Sequence, residues 1–421
     1  MNTTEVFALT YPILYAGLFA GQSQLFDDIA EGLGYESTYH HAVVIDAGSS
    51  GTRVLAYKFR EPFTMFGQGN LDLVEEYFEQ SKPGLSSYAD DPAEGAQTIV
   101  RLIKKAEYLT PPEKRRATPL IVRATAGLRL LPPEKAQQLI DHVRDAISKL
   151  GYDVASNAVE IMDGSDEGIF IWYTVNLLHD LMEEETMAAL DLGGGSTQIT
   201  YQLDDEQRKV MPATDQYQVP SGGKNITVYT HSYLNLGLLA ARYGIFKLEA
   251  GGNETERYTS ECVDPIIQNE PWTYANKNYI ISGAPRPASQ KKDVTYEKCH
   301  ALVTRYVLAT LDWRPTSPPR GNVAAMSYFY DVAADAGIID VMRGGSVSVA
   351  QYRAAAVAAC SAHNVEQPWA CVDLVYAVTL LQDAYKIDDN KPVSLYKKVN
   401  GHEVSWALGL AYTTVTNRIA T

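Results

Sequence analysis

The chain has 421 residues, 46% of them apolar and 21% charged, and a net charge of −15. Its length exceeds what one ordinary core holds and suits two domains of average size. The acidic balance excludes broad, sequence-independent nucleic-acid binding, which needs a basic footprint, but not a small anion held by backbone amides and a metal.

Residues 1–40 read as an acidic, aromatic-rich N-terminal extension outside the core. Within it, "VFALTYPILYAGLFAG" has the length of a signal-peptide core, is interrupted by Pro12 and is too short for a membrane-spanning helix. No Lys or Arg precedes Arg53, so the basic start of a signal is missing. A mature or truncated start, a weak signal and an amphipathic leader all remain open. No later stretch is long enough to span a bilayer, and the body is expected not to cross one.

From residue 41 strand-like and helix-like runs alternate. "HAVVID" and "RVLAYKF" read as strands, "PAEGAQTIVRLIKKAEYL" as a helix, "PLIVRATAG" as a strand and "PEKAQQLIDHVRDAISKL" as a helix. In the last, Ala136, Leu139, Ile140, Val143 and Ile147 recur at helical spacing. "NAVEIMDG" reads as a further strand and "DEGIFIWYTVNLLHDLM" as a buried helix. The alternation predicts an α/β fold.

The plan then restarts at "MAALDLGGGSTQITYQL": Asp46-Ala-Gly-Ser-Ser-Gly-Thr and Asp191-Leu-Gly-Gly-Gly-Ser-Thr lie over each other. Such an internal repeat predicts two related domains facing one another. We expect residues 41–180 with about 392–421 to form the first and residues 181–391 the second. Residues 205–260, rich in Gly, Asn and polar clusters, are expected to carry loops. "LDWRPTSPPRGN" reads as a connector, a helical run follows "RGGSVSVAQYRAAAVAAC", and "VSWALGLAYTTVTNRIAT" reads as a helix packed back on the body.

The four cysteines, Cys262, Cys299, Cys360 and Cys371, lack the paired spacing of a zinc site. Nearest-neighbour pairing would join Cys262 to Cys299 and Cys360 to Cys371, one of three possible connectivities; buried free thiols are the alternative. Acceptor sequons at Asn2, Asn225 and Asn253 tilt the balance toward disulfides in a secretory compartment.

A strand ending in Asp and followed by a glycine-rich turn suits one task. Glycines let several N–H groups converge on a phosphate, hydroxyls add donors, and the Asp offers a hard oxygen to a divalent cation. One such turn is compatible with an ordinary tight hairpin; two in register suit a single polyphosphate clasped from both sides.

"DAGSSGTR", "RATAGLRLLP", "GSDEGIFIWYTVN" and "LDLGGGSTQITY" resemble, in order, the first four signature segments of the NTPDase (apyrase) family of nucleoside phosphatases. "YTHSYLNLGLLAAR" and "VSWALG" resemble further segments, so the likeness runs from residue 42 to the end. "SKPGLSSY", "KKVNGHEVSWALG" and the cysteine pattern look most like the soluble, secretory-pathway nucleoside diphosphatase branch. The resemblance implies two RNase-H-like domains of the actin and sugar-kinase type with nucleotide in the cleft. It also implies Ca²⁺ or Mg²⁺ as cofactor and residence in, or secretion through, the secretory lumen.

By that resemblance Glu167 matches the general base, and Ser196 and Gln198 match residues that hold the attacking water. From the residues alone, Glu167 opens a buried helix that Asp163 or Ser165 could cap, with Asp166 as its rival and a plain first-turn acid as the alternative for both. Asp46 and Asp191 match acids that bind the metal through water, with Thr125 and Trp406 near the same ion; as a core aromatic, Trp406 has an equal alternative reading. Ser49, Ser50, Gly51, Thr52 and Arg53 would cradle one phosphate and Gly194, Gly195 and Ser196 the other. Arg53 and Arg129 could each be a phosphate contact or a structural ion pair. Tyr328 and Tyr330 fall where the family has base-contacting aromatics, while His231 reads as structural.

The expected activity is hydrolysis of nucleoside diphosphates, with triphosphates as a further candidate substrate, in a chain favoured to be a monomer. A nucleotide-regulated binding protein of the chaperone-ATPase type is the rival. An exopolyphosphatase-like enzyme would need a basic channel, and a sugar-kinase-like transferase a second substrate pocket.

Overall fold

A computed structural model describes residues 38–61, 71–182, 185–221, 224–286, 292–312 and 314–419. The apolar leader and the Asn2 sequon lie outside them. The first sheet contains β1 (Thr38–Ala47), β2 (Thr52–Glu61), β3 (Asp72–Ser81), β4 (Leu120–Ala124) and β5 (Val159–Ile161), in the order β3-β2-β1-β4-β5. β1–β2 and β2–β3 pair antiparallel, β1–β4 and β4–β5 parallel. One face is covered by helices Pro92–Ala106 and Pro133–Ile147. The first starts where Asp91 accepts the Glu94 N–H and Pro92 needs no acceptor. The second buries the apolar stripe expected of it, Ala136 to Ile147.

The second sheet is built from β6 (Ala188–Leu192), β7 (Ser196–Gln202), β8 (Gln216–Ser221) and β9 (Lys224–Leu234). After a small side sheet of β10 (Arg257–Ser260), β11 (Glu270–Tyr274) and β12 (Lys277–Gly283), it is completed by β13 (Val323–Ser327), β14 (Gly345–Ser348) and β15 (Pro392–Leu395). Its order is β14-β15-β13-β6-β7-β9-β8. The inner run β9-β7-β6-β13-β15 repeats the first sheet strand for strand: two antiparallel pairings, then two parallel ones. The internal repeat is therefore a repeat of topology, and the α/β expectation holds.

Two expectations need correction. Residues 205–260 are not a loop region: they hold a capped short helix (Asp205–Val210), the long hairpin β8–β9 and helix Leu238–Glu249. Their Gly and Asn clusters mark the ends of these elements, and "NITVYTHSYL" buries Thr227, Val228, Tyr229 and Thr230 in mid-sheet. The chain's return to the first sheet, expected at about residue 392, comes later, because β15 pairs with β13 and β14.

Between the sheets lie helices Gly164–Leu178 and Trp406–Ile419, in one apolar cluster with Val44 and Tyr57 of the first sheet and Ala189 and Ala324 of the second. Thr174 pins their crossing: its hydroxyl donates to the Ser405 carbonyl at 2.7 Å and accepts the Gly409 N–H at 2.9 Å. The helices approach so closely that a Cβ on Gly409 would lie 2.2 Å from the Phe170 carbonyl oxygen. Outside the second sheet, disulfides join Cys262 to Cys299 and Cys360 to Cys371, the nearest-neighbour pattern. No described helix is long and apolar enough to cross a membrane.

Because a main-chain oxygen cannot move aside, Gly409→Ala is expected to cost about 1–3 kcal/mol of stability. A lowered thermal-denaturation midpoint would show this, and an unchanged midpoint would contradict the close crossing.

Candidate active site

Strand register puts the two acids in equivalent places. In β1–β2 Asp46 lies opposite Arg53, and in β6–β7 Asp191 lies opposite Gln198. The first pair forms an ion pair, Arg53 Nη1 donating to Asp46 Oδ2 at 2.8 Å. Each acid ends a strand, and each is followed by a turn that comes close to the other turn. A Cβ on Gly194 would sit 2.6 Å from the Ser49 hydroxyl, so glycine is what allows this approach. Both turns wall one crevice of about 420 Å³, together with Asp46, Asp191, Thr125, Glu167, Ser327 and Trp406.

Within the first turn, Ser49, Ser50 and Arg53 face the crevice. Gly51 and Thr52 lie behind them: Thr52 is buried in β2, and a Cβ on Gly51 would collide with the Gln80 side chain. Within the second, Gly194 faces the crevice and Gly195 packs on Ala126. The Gly193 and Gly194 carbonyls accept N–H groups of Leu238, Leu239 and Ala240, and the Gly195 carbonyl accepts that of Asn235. Since a trans peptide points its N–H opposite to its C=O, the amides of Gly194, Gly195 and Ser196 are turned away from those partners.

Glu167 lies in the first turn of helix Gly164–Leu178, whose start is capped by the Asp163 carboxylate on the Ser165 N–H. It is buried and lines the crevice, whereas Asp166 is exposed and faces Arg123. The helix direction, set by the cap, separates the two rivals. Ser196 and Gln198, two apart on β7, share a face. Gln198 Nε2 lies 3.1 Å from Glu167 Oε2, 2.9 Å from Ser196 Oγ and 2.8 Å from Ser232 Oγ. From the other side Arg129 donates to the same Glu167 oxygen. Burial pushes Glu167 up to about 7, against the pull of Arg129 and with a push from Asp191 and Asp46.

Burial likewise raises Asp46, with Arg53 opposing, and Asp191, with Ser327 opposing and Asp46 adding to the rise. Asp191 Oδ1 is buried with no hydrogen-bond partner among the described residues. An orphaned carboxylate oxygen facing a second buried acid fits a divalent cation. No cluster of three or more His, Cys, Asp and Glu side chains suited to a metal occurs among the described residues. Thr125 lines the crevice beside the two acids. Trp406 walls the same space at the start of the last helix and is largely buried.

Tyr328 opens helix Tyr328–Asp335 and walls both this crevice and an adjoining cavity of about 970 Å³. Its hydroxyl is hydrogen-bonded to Ser50, a contact between the two halves of the molecule. Tyr330 differs: it is 2% exposed, belongs to the core beneath the second sheet and donates to the Val341 carbonyl at 2.9 Å. Both rings border the crevice, but Tyr328 is half-buried and also reaches the adjoining cavity, whereas Tyr330 is buried. His231 sits away from the crevice wall beside Asp312 and Tyr233.

The sequence reading passed over Ser327 and Ser232. Ser327 occupies φ 56°, ψ −126°, a strained backbone for a residue with a side chain, and holds Asp191. Its signal was its place one residue before Tyr328 at a strand end. Ser232 faces Gln198 across β7–β9, a pairing invisible before the strands are aligned.

Residues 34–420 match the GDA1/CD39 (nucleoside phosphatase) family. Nucleoside-diphosphatase uda-1 of Caenorhabditis elegans is 35% identical over 395 residues, spanning 88% of this chain and 81% of that protein. Nucleoside diphosphate phosphatase ENTPD5 of Homo sapiens is 37% identical over 384 residues, 88% of this chain and 86% of that protein. Among solved structures, a nucleoside triphosphate hydrolase from Neospora caninum matches over 96% of this chain and 97% of its own, with a TM-score of 0.65 at 15% identity. The Aquifex aeolicus PPX-GPPA enzyme matches over 89% of this chain and all 100% of its own, with a TM-score of 0.50 at 14% identity. At such identities the two structures speak for the fold alone. Paired Asp-glycine turns on a duplicated sheet, joined to sequence likeness over nearly the whole chain, place this protein in the GDA1/CD39 nucleoside phosphatase family.

Proposed function

We propose that this protein hydrolyses the terminal anhydride of nucleoside diphosphates, releasing orthophosphate by direct attack of water, with a divalent cation bound. The observation that carries the reading is the position of Glu167: a buried carboxylate held by Gln198 at the wall of the crevice where both turns meet. Triphosphates share the same anhydride and are a further candidate substrate.

In this reading Ser49, Ser50 and Arg53 hold one phosphate, with Gly51 and Thr52 shaping the turn behind them, and Gly194, Gly195 and Ser196 hold the other, through amides and hydroxyls. Asp46, Asp191 and Thr125, with Trp406 closing the space, would hold Ca²⁺ or Mg²⁺ largely through water, and a bound ion would supply positive charge to the phosphate oxygens. Gln198 and Ser196 orient the attacking water. Glu167 takes its proton as the new O–P bond forms and the bridging P–O bond breaks. The nucleoside monophosphate leaves with the bridging oxygen, and no side chain becomes phosphorylated. Tyr328, half-buried where the crevice and the larger cavity meet, is the candidate contact for the base.

Family membership and the Glu167–Gln198–Ser196 constellation favour this reading over a nucleotide-binding protein with little turnover. The two disulfides, and the exposed positions of Asn225 and Asn253, support a lumenal or secreted glycoprotein.

Glu167→Gln is expected to lower phosphate release from UDP by about 10²–10⁴-fold while UDP still binds; retained turnover would remove Glu167 from the mechanism. The wild-type protein should release phosphate over many turnovers with Mg²⁺ or Ca²⁺ and stop in EDTA. Near-stoichiometric release would instead favour the binding protein. The acid form of a base is inactive, so log kcat/KM should fall with slope of about one as pH drops below about 7.

A further inference from the structure

Arg129 has a geometry unlike that of Arg53. Arg53 stands in the crevice wall beside Ser49 and Ser50. Arg129, at the end of the short helix Ala126–Arg129, is absent from that wall, and its side chain is 17% exposed. Its guanidinium is directed at the Glu167 Oε2 atom. Its Nε is buried with no partner among the described residues. The seat is shaped by glycine, since a Cβ on Gly164 would lie 2.8 Å from Arg129 Nη1 and 2.3 Å from the Ser232 Cβ. Glu167 is thus gripped from two directions: by Arg129 from the first sheet's side and by Gln198 from the second sheet.

We propose that Arg129 is a positioning residue, which fixes the Glu167 carboxylate toward the crevice and keeps it charged, and which touches no substrate. This rests on the reading of Glu167 as the base. The groups whose charge acts on Glu167 are Arg129, Asp191 and Asp46; only the first is a cation. Arg53 is taken up by Asp46, Asp166 on the same helix is exposed and faces Arg123, and Asp163 caps the helix and also feels the Arg129 charge. With Arg129 neutralised, Glu167 would keep its burial and both repelling acids and lose its counter-charge. An opposite charge at contact holds a carboxyl down by about 1–3 pH units, so its removal should leave the base largely protonated at neutral pH.

The test uses the full chain, UDP and Mg²⁺. In Arg129→Met the acid limb of kcat/KM should move up by about one pH unit or more, with activity recovering as pH rises. Arg129→Lys keeps the charge but not the planar fork, so its limb should stay near wild type while kcat falls. UDP affinity, measured in a Glu167→Gln background where the carboxylate is already gone, should change less than threefold on adding Arg129→Met. An unmoved limb in Arg129→Met overturns the proposal. So does a tenfold weaker UDP affinity of the double variant, which would make Arg129 a phosphate contact. Should Arg129→Met not fold, as judged by its thermal transition, Arg129→Lys decides: a shifted limb overturns the proposal, and an unshifted limb with lowered kcat supports it. Turnover by Glu167→Gln alone would sink the reading of the base instead, a separate result.

Discussion

Three carboxylates, Asp46, Asp191 and Glu167, lie buried along one crevice; Asp191 and Asp46 both raise the cost of ionising Glu167, and Asp46 raises that of Asp191. Burial of like charges is tolerated only where cations or a sharing of protons relieves it. Here the relief from the chain is partial. Arg53 pairs with Asp46, Arg129 answers Glu167, and Asp191 has the Ser327 hydroxyl and a lesser pull from Arg53. The imbalance sits on the second half, at the acid whose Oδ1 has no partner among the described residues. A site held in this state is prepared for added positive charge, and the rest of the architecture keeps the acids from drifting apart.

That architecture is a duplicated sheet whose halves meet through two crossing helices instead of through a linker. Helix Gly164–Leu178 starts at the crevice with Glu167 and runs back through the shared core, and the last helix starts there with Trp406. Thr174 ties the second helix to the first by a hydroxyl that both donates and accepts. The chemistry-bearing ends of both helices therefore move with the contact between the sheets. Further links cross the crevice and its flank, the Tyr328 hydroxyl to Ser50 and Asn276 Nδ2 to the Ser87 carbonyl at 2.8 Å.

Much of this was legible before any coordinates. The repeat of Asp and a glycine-rich turn announced a duplicated plan, because strand, acid and turn are local features with local signatures. The helix over 164–178 and the cap that aims Glu167 inward were likewise written in a short segment. What escaped the reading depends on partners distant in sequence. Ser232 matters only because β9 pairs with β7 in one register, and Arg129 only because a short helix ends beside residue 167. Tyr330 looked as available as Tyr328; both border the crevice, but Tyr330 is buried in the core and only Tyr328 extends to the adjoining cavity. The polar character of residues 205–260 suggested loops because edge strands and helix termini use the same residue types.

The two turns match in backbone plan but not in the side chain across from each acid: Arg53 in the first, the uncharged Gln198 in the second. A perfectly symmetric cradle could not tell one end of a pyrophosphate from the other. This one is polarised, with a fixed cation on one rim and an amide and carboxylate on the opposite side. In the proposed function, duplication would supply a paired grip on the diphosphate, and the divergence at this register position would make it directional.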